Sequence, residues 1–275
     1  MRMYREVADM DIIQTIILAT IEGITEFLLV SSTGHMILAS SMMDIHDPSF
    51  VKTFQISIQL GAIGAIVMLY ARRFLKDINI YLKLGVAFLP SVLVGFFAYH
   101  TIKDHLFNPL VVSVSLVLGG VILILIDRHV ADRKTEYADL GDLSYKHSLF
   151  IGLAQCVSMI PGVSRAAATI IGGVFNGLNR KQATEFSFLL AVPTMCAATG
   201  YDLLKTDASF SKNELMLLTI GFIVAFIFAG LAVKIFLKIV ETYGFKYFGY
   251  YRIVVGAVFI LYMLMTGAGS LLQSF

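Results

Sequence analysis

The sequence predicts an all-α polytopic membrane protein, with six transmembrane helices and two re-entrant helix pairs arranged as an inverted-topology repeat. Three observations carry that prediction. The first is an apolar excess: 57% of the 275 residues are hydrophobic, only 15% are charged, and the mean hydropathy is +0.80. Soluble domains carry about 25% charged residues. The second is that the excess is gathered into continuous runs of about 20 residues, the length of a helical span, whereas a β-barrel would show alternating ten-residue segments. The third is that two apolar regions are interrupted, and the order of segments around them occurs twice. The net charge of +2 is too small to argue for a nucleic acid or another polyanion as partner.

The six spans are placed near 54–72, 80–101, 110–128, 184–204, 214–237 and 250–272, each long enough for a hydrocarbon core about 30 Å thick. The interrupted regions are 12–44, broken by V-S-S-T-G-H, and 145–177, broken by P-G-V-S-R. Their halves, about 12 to 18 residues each, are short for a full crossing. Pro161-Gly162 is a strong breaker, because proline has no N–H and glycine tolerates unusual dihedrals. Both regions therefore read as a helix in, a turn near the midplane and a helix out, with the irregular backbone covered by protein or a polar cavity.

Shifting the chain by 133 lays Glu22 on Gln155, Val30-Ser31 on Val163-Ser164 and Ser32 on Arg165; a shift of 132 lays Phe54 on Phe186. The pattern of one re-entrant pair and three spans runs over 12–128 and again over 145–272, within one integral domain spanning 1–275. Three crossings are odd, so the second copy is inverted, and such repeats place a site between them at the midplane. Six Lys and Arg fall on the side of the N-terminus and thirteen, Arg252 among them, on the other. The positive-inside rule makes the second side cytoplasmic and puts both termini outside. The N-terminus mixes charges, has no small-residue cleavage site and is not read as a removable signal. Cys156 and Cys196 lie in apolar segments and read as packing residues.

The chemistry gathers in the two breaks. Glu22 and Glu26, at i and i+4, share one helix face, and carboxylates within a span need compensation. A divalent cation held by both would supply it; the alternative is a protonated pair or hydrogen bonds to neighbouring helices. Ser31, Ser32 and Thr33 offer hydroxyls where the next helix begins, a place that favours anions, although capping alone would use one of them. His35 suits a general acid or base, or a group orienting a serine. Arg165 stands in an apolar region with Ser164 and Thr169 beside it, and its guanidinium forks onto phosphate oxygens. A salt bridge to Glu22 or Glu26 that only ties the halves together is the alternative. Gln55, Gln59 and Glu185 read as helix-to-helix hydrogen-bonding groups, and the loop 128–146 as a connection without a site.

At Glu22-Gly-Ile-Thr-Glu26-Phe27, Ser31-Ser-Thr-Gly-His35, Pro161-Gly-Val-Ser-Arg165 with Thr169, and E-F-S-F-L-L-A-V-P over 185–193, the chain resembles the undecaprenyl-diphosphate phosphatases, also called bacitracin-resistance proteins. The resemblance covers nearly the whole chain. It implies a multi-pass enzyme of the bacterial inner membrane that removes the terminal phosphate of a polyprenyl diphosphate and so recycles the lipid carrier of peptidoglycan synthesis. It implies that Glu22 and Glu26 are catalytic or hold Mg²⁺ or Ca²⁺, that Ser32 is the nucleophile assisted by His35, and that Ser164, Arg165 and Thr169 bind phosphate. Its partners are the diphosphate lipid and membrane lipids, with a homodimer left open. The chain departs from the family pattern at Leu29, where a proline is usual, at Ala166-Ala167, where Ser-Gly is usual, and in an N-terminal extension. The rival readings are a carrier for a polyprenyl phosphate or small anion and a non-catalytic lipid-binding protein.

Overall fold

In the computed structural model, which describes residues 10–43, 45, 48–76, 78–106, 109–130, 135, 137–205 and 210–266, every regular element is helical. In chain order they are α1 (Ile12–Thr25), α2 (Ser32–Met42), α3 (Pro48–Leu69), α4 (Ala71–Lys76), α5 (Ile78–Leu106) and α6 (Pro109–Val130). There follow α7 (Tyr145–Cys156), α8 (Arg165–Phe175), α9 (Arg180–Lys205), α10 (Lys212–Tyr243) and α11 (Lys246–Thr266). Among the described residues six stretches are long and apolar enough to cross a membrane: Phe50–Leu69, Asn79–Phe97, Pro109–Val130, Arg180–Leu203, Lys212–Tyr243 and Lys246–Met265. They match the six spans expected from the sequence. The N-terminal extension over 1–9, with Arg2 and Arg5, and the end of the last predicted span at 267–272 lie outside the described residues.

Local signals account for the helix starts. Asp11 accepts the backbone N–H of Gln14 at 2.7 Å while the Gln14 side chain accepts that of Asp11 at 3.0 Å, a reciprocal cap that opens α1. Ser211 and Glu214 do the same for α10, and the Ser144 hydroxyl caps α7 by accepting from His147 N at 3.2 Å. The second interrupted region breaks where the sequence predicts; the first breaks earlier than V-S-S-T-G-H, and Ser32–His35 of that stretch already form the first turn of α2. In the first, residues 26–31 separate α1 from α2; in the second, a 3₁₀ turn over Val157–Met159 and the Pro161-Gly162 turn separate α7 from α8.

The helices pack in an order that positions these breaks. The helix α11 lies along α6, α10 along both α3 and α1, α5 along α7, and α8 against α7 and α9, with α3 meeting α9 between the halves. Outward faces carry Phe96, Phe97, Leu118, Ile223 and Val258, all exposed; such a surface suits lipid more than water. Cys156 is half-buried, but Cys196 lies on the exposed side of α9 and is not the packing residue expected. At one end of the bundle Asp127 accepts from Arg180 Nη2 at 2.6 Å and from the Phe245 backbone N–H at 2.9 Å, tying α6, α9 and the start of α11 together.

Helix contact relies on glycine. A methyl group added at Gly61 in α3 would sit 2.3 Å from the carbonyl oxygen of Phe222 in α10, whereas one at Gly85 in α5 meets nothing within 4 Å. Gly61→Ala is expected to destabilise the fold by about 1–3 kcal/mol through overpacking, while Gly85→Ala gains up to about 1 kcal/mol of helix propensity. Apparent Tm values of the two variants in detergent check this: the first falls and the second holds or rises.

Candidate active site

The two breaks meet. From the first, Glu26 ends α1 and Ser32 begins α2; from the second, Arg165 begins α8. Glu26 Oε1 accepts from Arg165 Nη2 at 3.0 Å and Oε2 accepts from the Ser32 hydroxyl at 2.5 Å. Carboxylate and guanidinium side chains are only 7% and 12% exposed, so the pair is largely withdrawn from solvent. Arg165 is steadied further by its Nη1, which donates to the Ser187 carbonyl at 3.1 Å, and by Phe27, whose ring centre lies 5.7 Å from the guanidinium carbon. A cation above an aromatic face is attracted by the ring quadrupole.

Ser31 and Ser164 share an unusual backbone. Each stands immediately before a helix with a positive φ, 68° and 71°, in the region that residues with a Cβ seldom enter. The Ser164 hydroxyl accepts from Ala167 N at 3.3 Å and donates to the Leu28 carbonyl at 3.4 Å, so it caps α8 and touches the other break. The Ser31 hydroxyl caps nothing. Thr33 is exposed at the first turn of α2. Thr169 is 1% exposed; its hydroxyl contacts the Arg165 carbonyl at 2.9 Å and the Ser187 hydroxyl at 2.6 Å, holding α8 against α9.

The expectation that His35 assists Ser32 meets a different geometry. His35 Nδ1 lies 2.9 Å from the Ser31 carbonyl and Nε2 lies 2.7 Å from the Tyr251 hydroxyl. A carbonyl can only accept, so in the neutral ring Nδ1 carries the proton and Nε2 accepts from Tyr251. The hydrogen-bond partner of Ser32 is Glu26, its companion across the break.

Glu22 is 1% exposed, lies beside Glu26, and its Oε1 has no hydrogen-bond partner. A buried, unpartnered carboxylate oxygen next to a second carboxylate is a donor set for a hard cation. Among the described residues no cluster of three or more His, Cys, Asp or Glu is found, so the carboxylates that these residues bring together here are Glu22 and Glu26. Of the remaining polar candidates, Gln55 donates to the Ser40 hydroxyl at 3.2 Å, a bond between helices as expected. Glu185 lies in a charged cluster with Arg73, Lys181 and Glu241, and Gln59 is half-buried.

Two site neighbours were not foreseen. Tyr251, on α11, holds His35. Arg252, counted above among the charges of the cytoplasmic side, is wholly buried at 0% exposure and donates to backbone carbonyls of both breaks. That burial removes it from the flanking charge.

The family described as bacitracin resistance protein BacA matches residues 15–258. The chain belongs to the BacA family. The undecaprenyl-diphosphatase of Bdellovibrio bacteriovorus is 51% identical over 258 residues, covering 94% of this chain and 98% of that protein. Those of Wolinella succinogenes and Aquifex aeolicus are each 48% identical, over 92% and 91% of this chain and 99% and 98% of theirs. Relative to the pattern expected for BacA proteins, Leu29 leaves a buried side chain and a carbonyl that Arg252 uses, and Ala166 and Ala167 pack at 0% and 2% exposure. Neither departure opens the Glu26–Arg165 pair.

Removing Glu26 strands the guanidinium. Glu26→Ala is expected to lower stability by roughly 3–5 kcal/mol, the cost of breaking a buried ion pair, and Ser32→Ala by about 1–3 kcal/mol, the cost of leaving a buried acceptor unpaired. Apparent Tm values in one detergent check the order.

Proposed function

We propose that this chain is an undecaprenyl-diphosphate phosphatase. It hydrolyses the terminal phosphate of the diphosphate lipid to give undecaprenyl phosphate and inorganic phosphate. The observation that carries this reading is the chain of contacts Ser32–Glu26–Arg165 across two broken segments, in a chain of the BacA family. A hydroxyl hydrogen-bonded to a carboxylate is a nucleophile with its base in place. An arginine beside them matches phosphate oxygens. Glu26 takes the proton as Ser32 Oγ attacks the terminal phosphorus, undecaprenyl phosphate leaves, and water then cleaves the seryl phosphate. Arg165 and the N–H groups at the start of α2, where no side chain caps, neutralise the phosphate oxygens. Ser31, Thr33, Ser164 and Thr169 line or fix those helix starts, and His35, held by Tyr251, orients the Ser31 backbone.

Glu22 and Glu26 would hold Mg²⁺ or Ca²⁺, with phosphate oxygens and water completing its shell; when bound, the ion supplies charge neutralisation for the diphosphate. The unpartnered Glu22 oxygen supports this.

The same reading places the protein in the bacterial inner membrane with both termini on the outer side and the site open there. The two broken segments are re-entrant pairs of an inverted repeat. Three observations support the repeat. The positive-φ serines fall 133 residues apart; the α1–α10 contact is mirrored by α7–α5; and α6 meets α11 as α3 meets α9. With Arg252 taken out of the count, twelve Lys and Arg remain on the cytoplasmic side against six. A homodimer is the open partner, decided by the mass of the detergent-solubilised protein. A carrier would give the repeat a use, but it has no need of the Ser32–Glu26 contact.

Phosphate release from a prenyl diphosphate by purified protein is expected with Mg²⁺ or Ca²⁺ and to stop in EDTA. Arg165→Ala should lower kcat roughly 100- to 1,000-fold and Ser32→Ala more. No release by well-folded wild type with either ion would sink the hydrolase reading.

A further inference from the structure

Arg252 heads the largest fully buried side chains, and no step above uses it. Its partners are all backbone carbonyls. Nη1 donates to Leu29 at 3.1 Å and to Val163 at 3.0 Å; Nη2 donates to Gly162 at 2.7 Å and to Ser115 at 3.1 Å; Nε reaches Leu116 at 3.4 Å. Leu29 belongs to the first break, Gly162 and Val163 to the second, Ser115 and Leu116 to α6. One guanidinium therefore joins three segments that no sequence neighbour connects.

The geometry has a consequence for the site. Leu29 lies three residues before Ser32, and Val163 two before Arg165. Both carbonyls accept from the same nitrogen, so the separation of the two breaks is set by a rigid, planar fork. The space for that fork is made by Gly119, where an added methyl carbon would lie 2.2 Å from Arg252 Nη2. Buried charge is tolerated only when its donors are satisfied, and here that requirement is met by the backbone whose position the chemistry needs.

We propose that Arg252 is a positioning residue: it holds the Leu29 and Val163 carbonyls on one nitrogen and so keeps Ser32 and Glu26 in register with Arg165. Its kinetic consequence rests on the hydrolase reading; its structural one does not. Lysine, with a single compact ammonium, cannot span the same acceptors.

The test takes wild type, Arg252→Lys, Gly119→Ala and, as a control outside the site, Gly85→Ala. Each is purified and measured for apparent Tm, kcat and KM on a prenyl diphosphate. In parallel, spin labels at Met42→Cys and Phe175→Cys, both exposed ends of α2 and α8, report the distance between the two helices after Cys156 and Cys196 are replaced by serine. Arg252→Lys and Gly119→Ala are expected to lower kcat about a hundredfold, as misplacement of about 1 Å does. KM should change less than about threefold, and the label distance should shift or broaden; Gly85→Ala should match wild type. A loss of activity that follows only the fraction of folded protein, with kcat of the folded part and the distance unchanged, overturns the proposal. Should Arg252→Lys fail to fold, Gly119→Ala decides, since it keeps the charge and moves it. If wild type releases no phosphate while the distance still moves in the variants, the hydrolase reading falls and the clamp stands.

Discussion

Interrupting a buried helix frees backbone groups that water cannot reach, and this protein does so twice in adjoining places. Each break leaves carbonyls without their helical donors, and a bare buried carbonyl costs about as much as a lost hydrogen bond. Arg252 answers for both breaks at once, with Leu29 on one side and Gly162 and Val163 on the other. Arg165 is bound differently: one nitrogen goes to the Ser187 carbonyl, but another goes to the Glu26 carboxylate. The two arginines divide the work. One is saturated by backbone and has no donor left over for a ligand of the same kind; the other is held by a carboxylate that a phosphate can replace.

The surrounding helices turn that arrangement into a fixed frame. Close approach of α3 to α10 and of α7 to α5 is possible because glycines stand at the contacts, Gly61 facing the Phe222 carbonyl and Gly152 facing that of Ala87. Packing of this kind, small residues against backbone, replaces the hydrophobic effect where the outer solvent is itself apolar. At the far end of α6, the Asp127–Arg180 pair and the Phe245 N–H set where α11 begins. Five and six residues on from that start, at Lys246, α11 delivers Tyr251 and Arg252 side by side to the breaks. A helix that only spanned would not need its first turns anchored so firmly.

How much of this was legible follows from what each signal consists of. Span positions were readable because length and apolarity are properties of a run. The second break was readable because Pro161-Gly162 carries backbone chemistry in its residue types; the first was placed a few residues late, since Ser32-Thr33-Gly34 open α2 and the break itself is the mostly apolar stretch 26–31. Glu26 and Arg165 stood out as charges inside apolar runs, and their meeting is one of the outcomes weighed from sequence. Arg252 was misplaced for a physical reason. It lies close to the start of its span, where flanking charges normally sit, and its partners are carbonyls, which every residue has and no sequence marks. Tyr251 was missed for the same lack of a mark, and His35, judged by its nearness to Ser32 along the chain, is turned toward α11. The left-handed backbone of Ser31 and Ser164 gave no warning either, because that region is associated with glycine.

The asymmetry between the two carboxylates carries the last step. Glu26 has both oxygens engaged, one by Ser32 and one by Arg165, whereas Glu22 keeps an oxygen with no partner in a fully buried place. Two neighbouring carboxylates, one paired with Arg165 and the other with an unpartnered oxygen, are a place that a cation would complete. On the hydrolase reading, a diphosphate entering with a divalent ion resolves both ends of the chain together. A divalent cation would be held by Glu22 and Glu26 and would supply charge neutralisation there, while the phosphate oxygens would compete with Glu26 Oε1 for Arg165. That competition would leave Glu26 Oε2 on the Ser32 hydroxyl. The carboxylate would then keep its hold on the nucleophile at the moment the phosphorus to be attacked has arrived. Such coupling places binding energy in the transition state and not in the resting complex.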